Sequence, residues 1–331
     1  MAGATKEGLD APIARDKRSG VLAVLEWILA RAMFPVVLGA SVFYAISEIQ
    51  AGTAPTRAIM LPTLLSYLII AAVERFFYWQ RAWLHSNGDL SVDIGHLLIS
   101  GLLTTELLKI PIFLFSIAVA AWLAESIGMS LWPSHWSLWL QLPLALVFGE
   151  FFLYWIHRLS HEFDWLWRFH AMHHSAPRLY FLNAVRFHPV DIALSTFSPL
   201  VPLILLGADA RVIALFGLVS AVHGLFQHAN IVLVLGPLNW IFSMAELHRW
   251  HHSRLLDESN TNFGQNLILW DIVHGTRFLP KDREPPSEIG IAGLPSFPMD
   301  YVGQLLSPLR WTQIKQESTA MGAETALSSE R

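Results

Sequence analysis

The chain contains no cysteine. That excludes disulfides, thiolate zinc sites and any iron–sulfur cluster held by these residues. Charge is scarce as well: 15% of the 331 residues are Asp, Glu, Lys or Arg, against about 25% in an ordinary soluble domain. The net charge of −4 lacks the basic surplus of a nucleic-acid-binding protein, so no nucleic-acid partner is expected. Several catalytic signatures are missing too. There is no G-x-S-x-G elbow, P-loop or Rossmann fingerprint. The run "HEFDW" from His161 puts Trp165 where an H-E-x-x-H zinc motif needs its second histidine. No repeat of 20–50 residues is evident. The opening "MAGATKEGLDAPIARDKRSG" has no early apolar core with a small-residue cleavage site, so no cleaved signal peptide is expected.

Apolar sequence takes the place of charge: 53% of residues are hydrophobic, with fourteen Trp and twenty Phe, and the mean hydropathy is +0.43. Crossing a bilayer takes roughly 20 apolar residues, and four stretches offer them, at 28–49, 58–79, 94–124 and 137–156. The third is interrupted by Glu106 and Lys109, which could pair at i, i+3, and Pro111 could kink it or divide it into a hairpin. Trp132, Trp136 and Trp139 before the fourth read as an interfacial belt. Arg15, Lys17 and Arg18 precede the first span, and Arg75 and Arg81 close the second. The positive-inside rule then places the N-terminus, and everything after four spans, in the cytoplasm. Two shorter apolar pieces, 192–206 and 212–222, are expected as a re-entrant hairpin, with Pro199 and Pro202 breaking the first. The fold class is therefore all-α: a polytopic membrane protein of about four spanning helices with a cytoplasmic helical domain. Its expected parts are an N-terminal cytoplasmic segment (1–27), transmembrane helices (28–156), a histidine-rich catalytic region (157–280) and a loosely ordered tail (281–331).

Eleven of fifteen histidines fall between residues 157 and 252. They form three boxes: "HRLSH" (His157, His161), "HAMHH" (His170, His173, His174) and "HRWHH" (His248, His251, His252). On a helix, i, i+3 and i+4 share one face. A lone buried histidine, such as His96, is usually a core residue bonded to backbone. Eight clustered imidazoles are different, because each unsatisfied ring nitrogen costs roughly 1–3 kcal/mol. A bound cation resolves this, and eight ligands exceed the four to six sites of one first-row ion, which points to two metals. The spacing does not choose among iron, zinc, copper and nickel. Glu150, Glu162 and Glu246 near the boxes are expected to be supporting or surface residues.

These three boxes after hydrophobic spans, with "NAVRFHP" (183–189), "LFQHANI" (225–231) and "NFGQNLILWDIVHGT" (262–276), resemble the fatty acid hydroxylase / sterol desaturase superfamily of membrane di-iron oxygenases. The likeness covers about 145–280. It implies two iron ions held by His157, His161, His170, His173, His174, His248, His251 and His252, with His228 as a further ligand. His223 is a less well-spaced tenth candidate, since i, i+5 is poor for one helical face. His188 is implied as an orienting residue or an extra ligand, with a structural contact as the plainer alternative. Asn230, Asn262 and Asp271 are candidates to hold the outer ring nitrogens, although Asp271 could equally cap local structure. His274, where many relatives carry an aromatic residue, is not counted as a ligand.

The resemblance further implies O2 as co-substrate, a membrane lipid as substrate, and electrons from a separate ferredoxin or cytochrome with its reductase. Hydroxylation is the expected reaction; desaturation, and metal binding without catalysis, are the alternatives. The chain's length and plan also resemble the ornithine-lipid hydroxylases, which favours a bacterial inner-membrane enzyme acting on an aminolipid, a fatty acyl lipid or a sterol-like lipid, with its site on the cytoplasmic side.

Overall fold

A computed structural model describes residues 18–127 and 131–329. Arg15 and Lys17 and most of the 1–27 segment fall outside them, as do the side chains of Glu106 and Lys109. Two long helices come first, α1 (Gly20–Gln50) and α2 (Pro55–Phe76). Next, α3 (Leu90–Gly95) runs through a π-helical stretch, His96–Leu103, into α4 (Thr104–Ile127), which Pro111 does not interrupt. Then follow α5 (Leu138–Glu162), α6 (Asp164–His174), α7 (Pro189–Leu206) and α8 (Ala210–His228). The remaining helices are short apart from the last: α9 (Ala245–His251), α10 (Leu256–Ser259), α11 (Leu269–His274), α12 (Tyr301–Leu306) and α13 (Trp311–Ser329). Among the described residues short 3-10 turns and isolated β-bridges, but no strands, accompany these helices.

Five helices are long and apolar enough to cross a membrane: α1, α2, α5, α7 and α8. The expected re-entrant hairpin is thus two full-length helices. Pro199 and Pro202 lie inside α7 without ending it, as prolines can where neighbouring helices satisfy the freed backbone groups. Local chemistry sets the ends of these two helices. His188 caps α7 by accepting from the Val190 amide, and Gly207 closes it at φ 101°, a left-handed conformation that suits glycine. Asp209 then caps α8 by accepting from the Arg211 and Val212 amides. The two helices also part company. α7 packs on α4 and α5, whereas α8 packs mainly on α1 and α2, where Leu215, Val219, Val222 and Phe226 join the main core.

Side is fixed by two sets of hydrogen bonds. At the end of α2 the Glu74 carboxylate accepts from the Phe181 and Asn230 amides, both at 3.0 Å. This places the α2 end, the loop after α6 and the end of α8 together. At the opposite end the Trp132 amide donates to Leu206 O at 2.7 Å, joining the start of α5 to the end of α7. Residues 90–132 therefore pass from one end of the bundle to the other, and the α3–α4 rod is one crossing rather than a hairpin. All three histidine boxes lie at the end where α1 begins.

The segment after 280, expected to be loosely ordered, carries α12 and α13. Trp311 and Ile314 of α13 bury against Ala171 and Met172 of α6, and Trp311 Nε1 donates to Asp164 Oδ1 at 3.0 Å. From α12, Gln304 Oε1 accepts from His96 Nε2 at 2.9 Å. Sequence periodicity alone could not reveal this, because the apolar positions are few and dispersed.

Reporter fusions test the bundle's sidedness. A fusion at the N-terminus and one after residue 165 should report the same compartment, and one placed at residue 130 the other. Matching signals at 130 and 165 would mean that the α3–α4 rod does not cross.

Candidate metal centre

Histidine placement follows from helix geometry. Successive residues turn by about 100°, so i and i+4 nearly superimpose while i+3 points to one side. In α6, His170 and His174 enter one group and His173 another; in α9, His248 and His252 enter the second group and His251 the first. Each of these two boxes therefore divides two to one, and they divide in opposite senses. His157 and His161 from the end of α5 complete the first group, and His228 from the end of α8 completes the second. The first group holds five imidazoles and the second four, with candidate ligand atoms within 4.8 Å of one another in each. Nitrogens trans across one ion, at bonds of about 2.1 Å, would stand roughly 4.2 Å apart.

Outward-facing nitrogens are held by specific acceptors. His157 Nδ1 donates to Phe263 O (2.7 Å), His251 Nδ1 to Thr261 O (2.7 Å) and His161 Nδ1 to Asn260 Oδ1 (3.2 Å). His170 Nδ1 donates to Asp191 Oδ2 (2.8 Å) and His228 Nδ1 to Asn183 Oδ1 (2.9 Å). In neutral rings these bonds use the only N–H, leaving Nε2 as a bare lone pair. Yet His157 Nε2 and His170 Nε2 lie 3.1 Å apart. Two lone pairs at that distance repel unless a cation lies between them, and 3.1 Å is close to the separation of two nitrogens bound to one ion. In the second group His248 Nε2 lies 3.0 Å from His228 Nε2 and 3.1 Å from His252 Nε2. Buried Nε2 atoms of His161, His174 and His251 have no hydrogen-bond partner, nor do Nδ1 atoms of His173, His248 and His252. Burial, reinforced by the neighbouring imidazoles, holds His173, His174, His248, His251 and His252 well below the ordinary histidine range. They are neutral, the form that binds metal. The donor set fits two metal ions.

The remaining candidates separate from this centre. His223 is buried beside the rings of Phe34 and Phe242 and belongs to neither group. His188 caps α7 and faces Leu305 O. His274 stacks on Tyr154. Asn230 bonds the backbone of Gln80, and Asn262 the backbones of Leu247 and Phe278. Asp271 accepts from the Phe263 and Gly264 amides. None of these three is hydrogen-bonded to a ligand ring; Asn262 and Asp271 hold the loop whose carbonyls are, and Asn230 ties the end of α8 to Gln80. Sequence reasoning missed Asp191, Asn183 and Asn260. Each sits near a recognised motif, Asp191 in "RFHPVD" and Asn183 in "NAVRFHP", but a polar residue far along the chain gives no spacing signal for the ring it meets. The nearby glutamates divide as expected. Glu150 accepts from the Gln265 and Asn266 amides, Glu246 from the Leu235 amide, and Glu162 pairs with Arg158.

Two openings reach the histidines. A chamber of about 60 Å³ is lined by His157, His170, His173, His228 and His248 together with Asp191, Ser195 and Gln227. A cleft of about 280 Å³ on the other side is lined by His161, His174, Trp167, Glu162, Asp164 and Arg254.

A bundle of membrane-length helices thus carries twin imidazole groups at one end, and similarity to hydroxylases, a monooxygenase and a desaturase marks the chain as a membrane oxidoreductase. The chain belongs to the fatty acid hydroxylase family, whose model matches residues 142–276. It is 41% identical over 241 residues to the ornithine lipid hydroxylase OlsE of Rhizobium tropici, covering 72% of each chain. It is 31% identical over 155 residues to the alkylglycerol monooxygenase of Xenopus tropicalis, covering 46% of this chain and 33% of that one. A probable Delta(7)-sterol 5(6)-desaturase of Neurospora crassa is 29% identical over 164 residues, covering 47% of this chain and 42% of that one. No solved structure matches.

Replacing Asp191 by Ala should weaken metal retention about 10–100-fold by freeing the His170 ring. Metal content after competition with a chelator measures this; undiminished retention would show that the Asp191 contact does not orient a ligand.

Proposed function

We propose that the protein is a di-iron hydroxylase that inserts one oxygen atom from O2 into a C–H bond of a membrane lipid, with an ornithine-type aminolipid as the first candidate substrate. One observation carries this reading: a single chamber is lined by members of both imidazole groups, so a carbon placed there meets both metal positions at once. The ligands are then His157, His161, His170, His174 and His251 for one iron, and His173, His228, His248 and His252 for the other. Bound iron would supply reduction of O2 to an oxidant able to take hydrogen from an unactivated C–H. The chain's own residues aim nine rings inward, and Phe187, stacked on His173 with centroids 4.2 Å apart, covers one flank from water. In domain terms, 28–156 anchors the protein and 157–280 carries catalysis, with α7 and α8 contributing to both.

The electron donor is a separate ferredoxin or cytochrome with its reductase, consistent with a chain that has no thiolates of its own. The polar cleft beside His161 and His174 is the face for its approach. Arg18, Arg75 and Arg81 lie near the histidine end of the bundle, which supports a cytoplasmic site in a bacterial inner membrane. Similarity to hydroxylases and a desaturase alike supports one second reading, removal of two hydrogens with no oxygen retained.

Growth under 18O2 followed by lipid mass spectrometry separates the two. A labelled lipid 18 mass units heavier than its precursor is the expected product; an unlabelled species two units lighter would mean desaturation instead. Changing His173 or His251 to Ala should abolish product while the protein remains in the membrane, because each supplies the odd ligand of its box to the other box's group. Turnover retained in either variant would remove that residue from the ligand set.

A further inference from the structure

A third cavity lies outside the bundle's metal end. It is an apolar groove of about 730 Å³ between α4 and α7, walled by Thr104 and Leu107 on one side and by Val190, Leu194 and Phe197 on the other. Its floor includes Ile156 of α5, and Ile156 also lines the histidine chamber. It immediately precedes His157 in the chain. α7 completes the partition. Asp191 and Ser195, at i and i+4, line the chamber, while Val190, Leu194 and Phe197 line the groove. Since α7 begins at the histidine end, the groove opens into the half of the bilayer on that side.

Building on the lipid-hydroxylase reading above, we infer that this groove binds one flexible hydrocarbon chain of a membrane lipid, and that Ile156 is the gate between it and the metal chamber. Chemistry and size select that occupant. Apart from the hydroxyls of Thr104 and Ser198 the lining is apolar, so a hydrocarbon chain fits it with little polar desolvation. The chamber beyond is narrow: a water needs roughly 10–15 Å³ on this scale, so about 60 Å³ holds only some four to six. A slender extended segment can enter past a single isoleucine. A fused ring system cannot do so without moving α7. The site therefore selects lipids whose reactive carbon lies on a flexible linear portion, within a short reach of the groove.

The absence of cysteine makes a direct test available. In a Leu194→Cys protein reconstituted in bilayers with its irons, dodecyl methanethiosulfonate should place a twelve-carbon chain in the groove. Lipid oxidation should fall roughly tenfold or more against the same unmodified protein, and dithiothreitol should restore it while iron content stays constant. The same treatment of Val24→Cys, on the exposed face of α1, should change nothing. Undiminished oxidation in the modified Leu194→Cys protein would overturn the proposal. A second readout needs neither turnover nor metal. Phosphatidylcholine bearing a mid-chain diazirine should crosslink to peptides spanning 104–107 and 189–198 in wild-type protein, with or without iron. Adducts confined to other helices, or labelling of this groove by a photoreactive sterol in preference to the phospholipid, would equally overturn it. Crosslinking at the groove without any lipid oxidation by the wild type would instead refute the hydroxylase reading and leave the chain site standing.

Discussion

Nine clustered imidazoles, seven of them buried and two part-buried, impose with their converging lone pairs the constraint on which the rest of the molecule depends. A single unpaired ring nitrogen in a protein interior costs roughly 1–3 kcal/mol, and here the Nε2 atoms of His157 and His170 stand 3.1 Å apart with their N–H groups already committed elsewhere. Such an arrangement persists only if cations neutralise it or if the surrounding fold holds it rigidly. The structure supplies the second condition in full and is shaped for the first.

Rigidity comes from buried carboxylates that organise backbone rather than from the histidine helices alone. Asp271 gathers the amides of Phe263 and Gly264, and Glu150 gathers those of Gln265 and Asn266. Between them they fix the loop whose Phe263 carbonyl aligns His157. Gly264 is required in that loop, since a Cβ there would collide with Leu267 O and crowd the Asp271 carboxylate. Glu74 does the same across the bundle, holding the loop after α6 beside the end of α8 through two amides. Each acid spends its acceptor capacity on N–H groups that would otherwise be orphaned in an apolar interior.

Much of the centre was legible in the sequence because helical periodicity and histidine counting are both local properties. The three boxes could be read from spacing and the two-metal expectation from their count, whereas His228 entered only through the resemblance carried by "LFQHANI". The division of the last two boxes between two groups could not be read this way, since i, i+3 and i+4 look like one face until the neighbouring helices are placed. The orienting residues were harder still. Asp191 meets His170 across 21 positions and Asn183 meets His228 across 45, so their roles exist only after folding. In the fold, the first, second and fourth spans and the all-α class followed from apolar run length. α7 was misjudged because proline was weighed as it acts in water, and α8 because its apolar run was counted only over 212–222. In a bundle where other helices surround the backbone, Pro199 and Pro202 end nothing.

The opposed division of the two boxes has a mechanical result. α6 and α9 are each clamped at two points, and each point belongs to a different group. Neither helix can rotate to improve one set of ligands without spoiling the other. Filling one position therefore prearranges its neighbour, a coupling between sites that must act equally in both directions. A half-filled protein would then be the unfavourable state, and two bound ions would be taken up or given up together, as a key with two teeth turns both levers or neither.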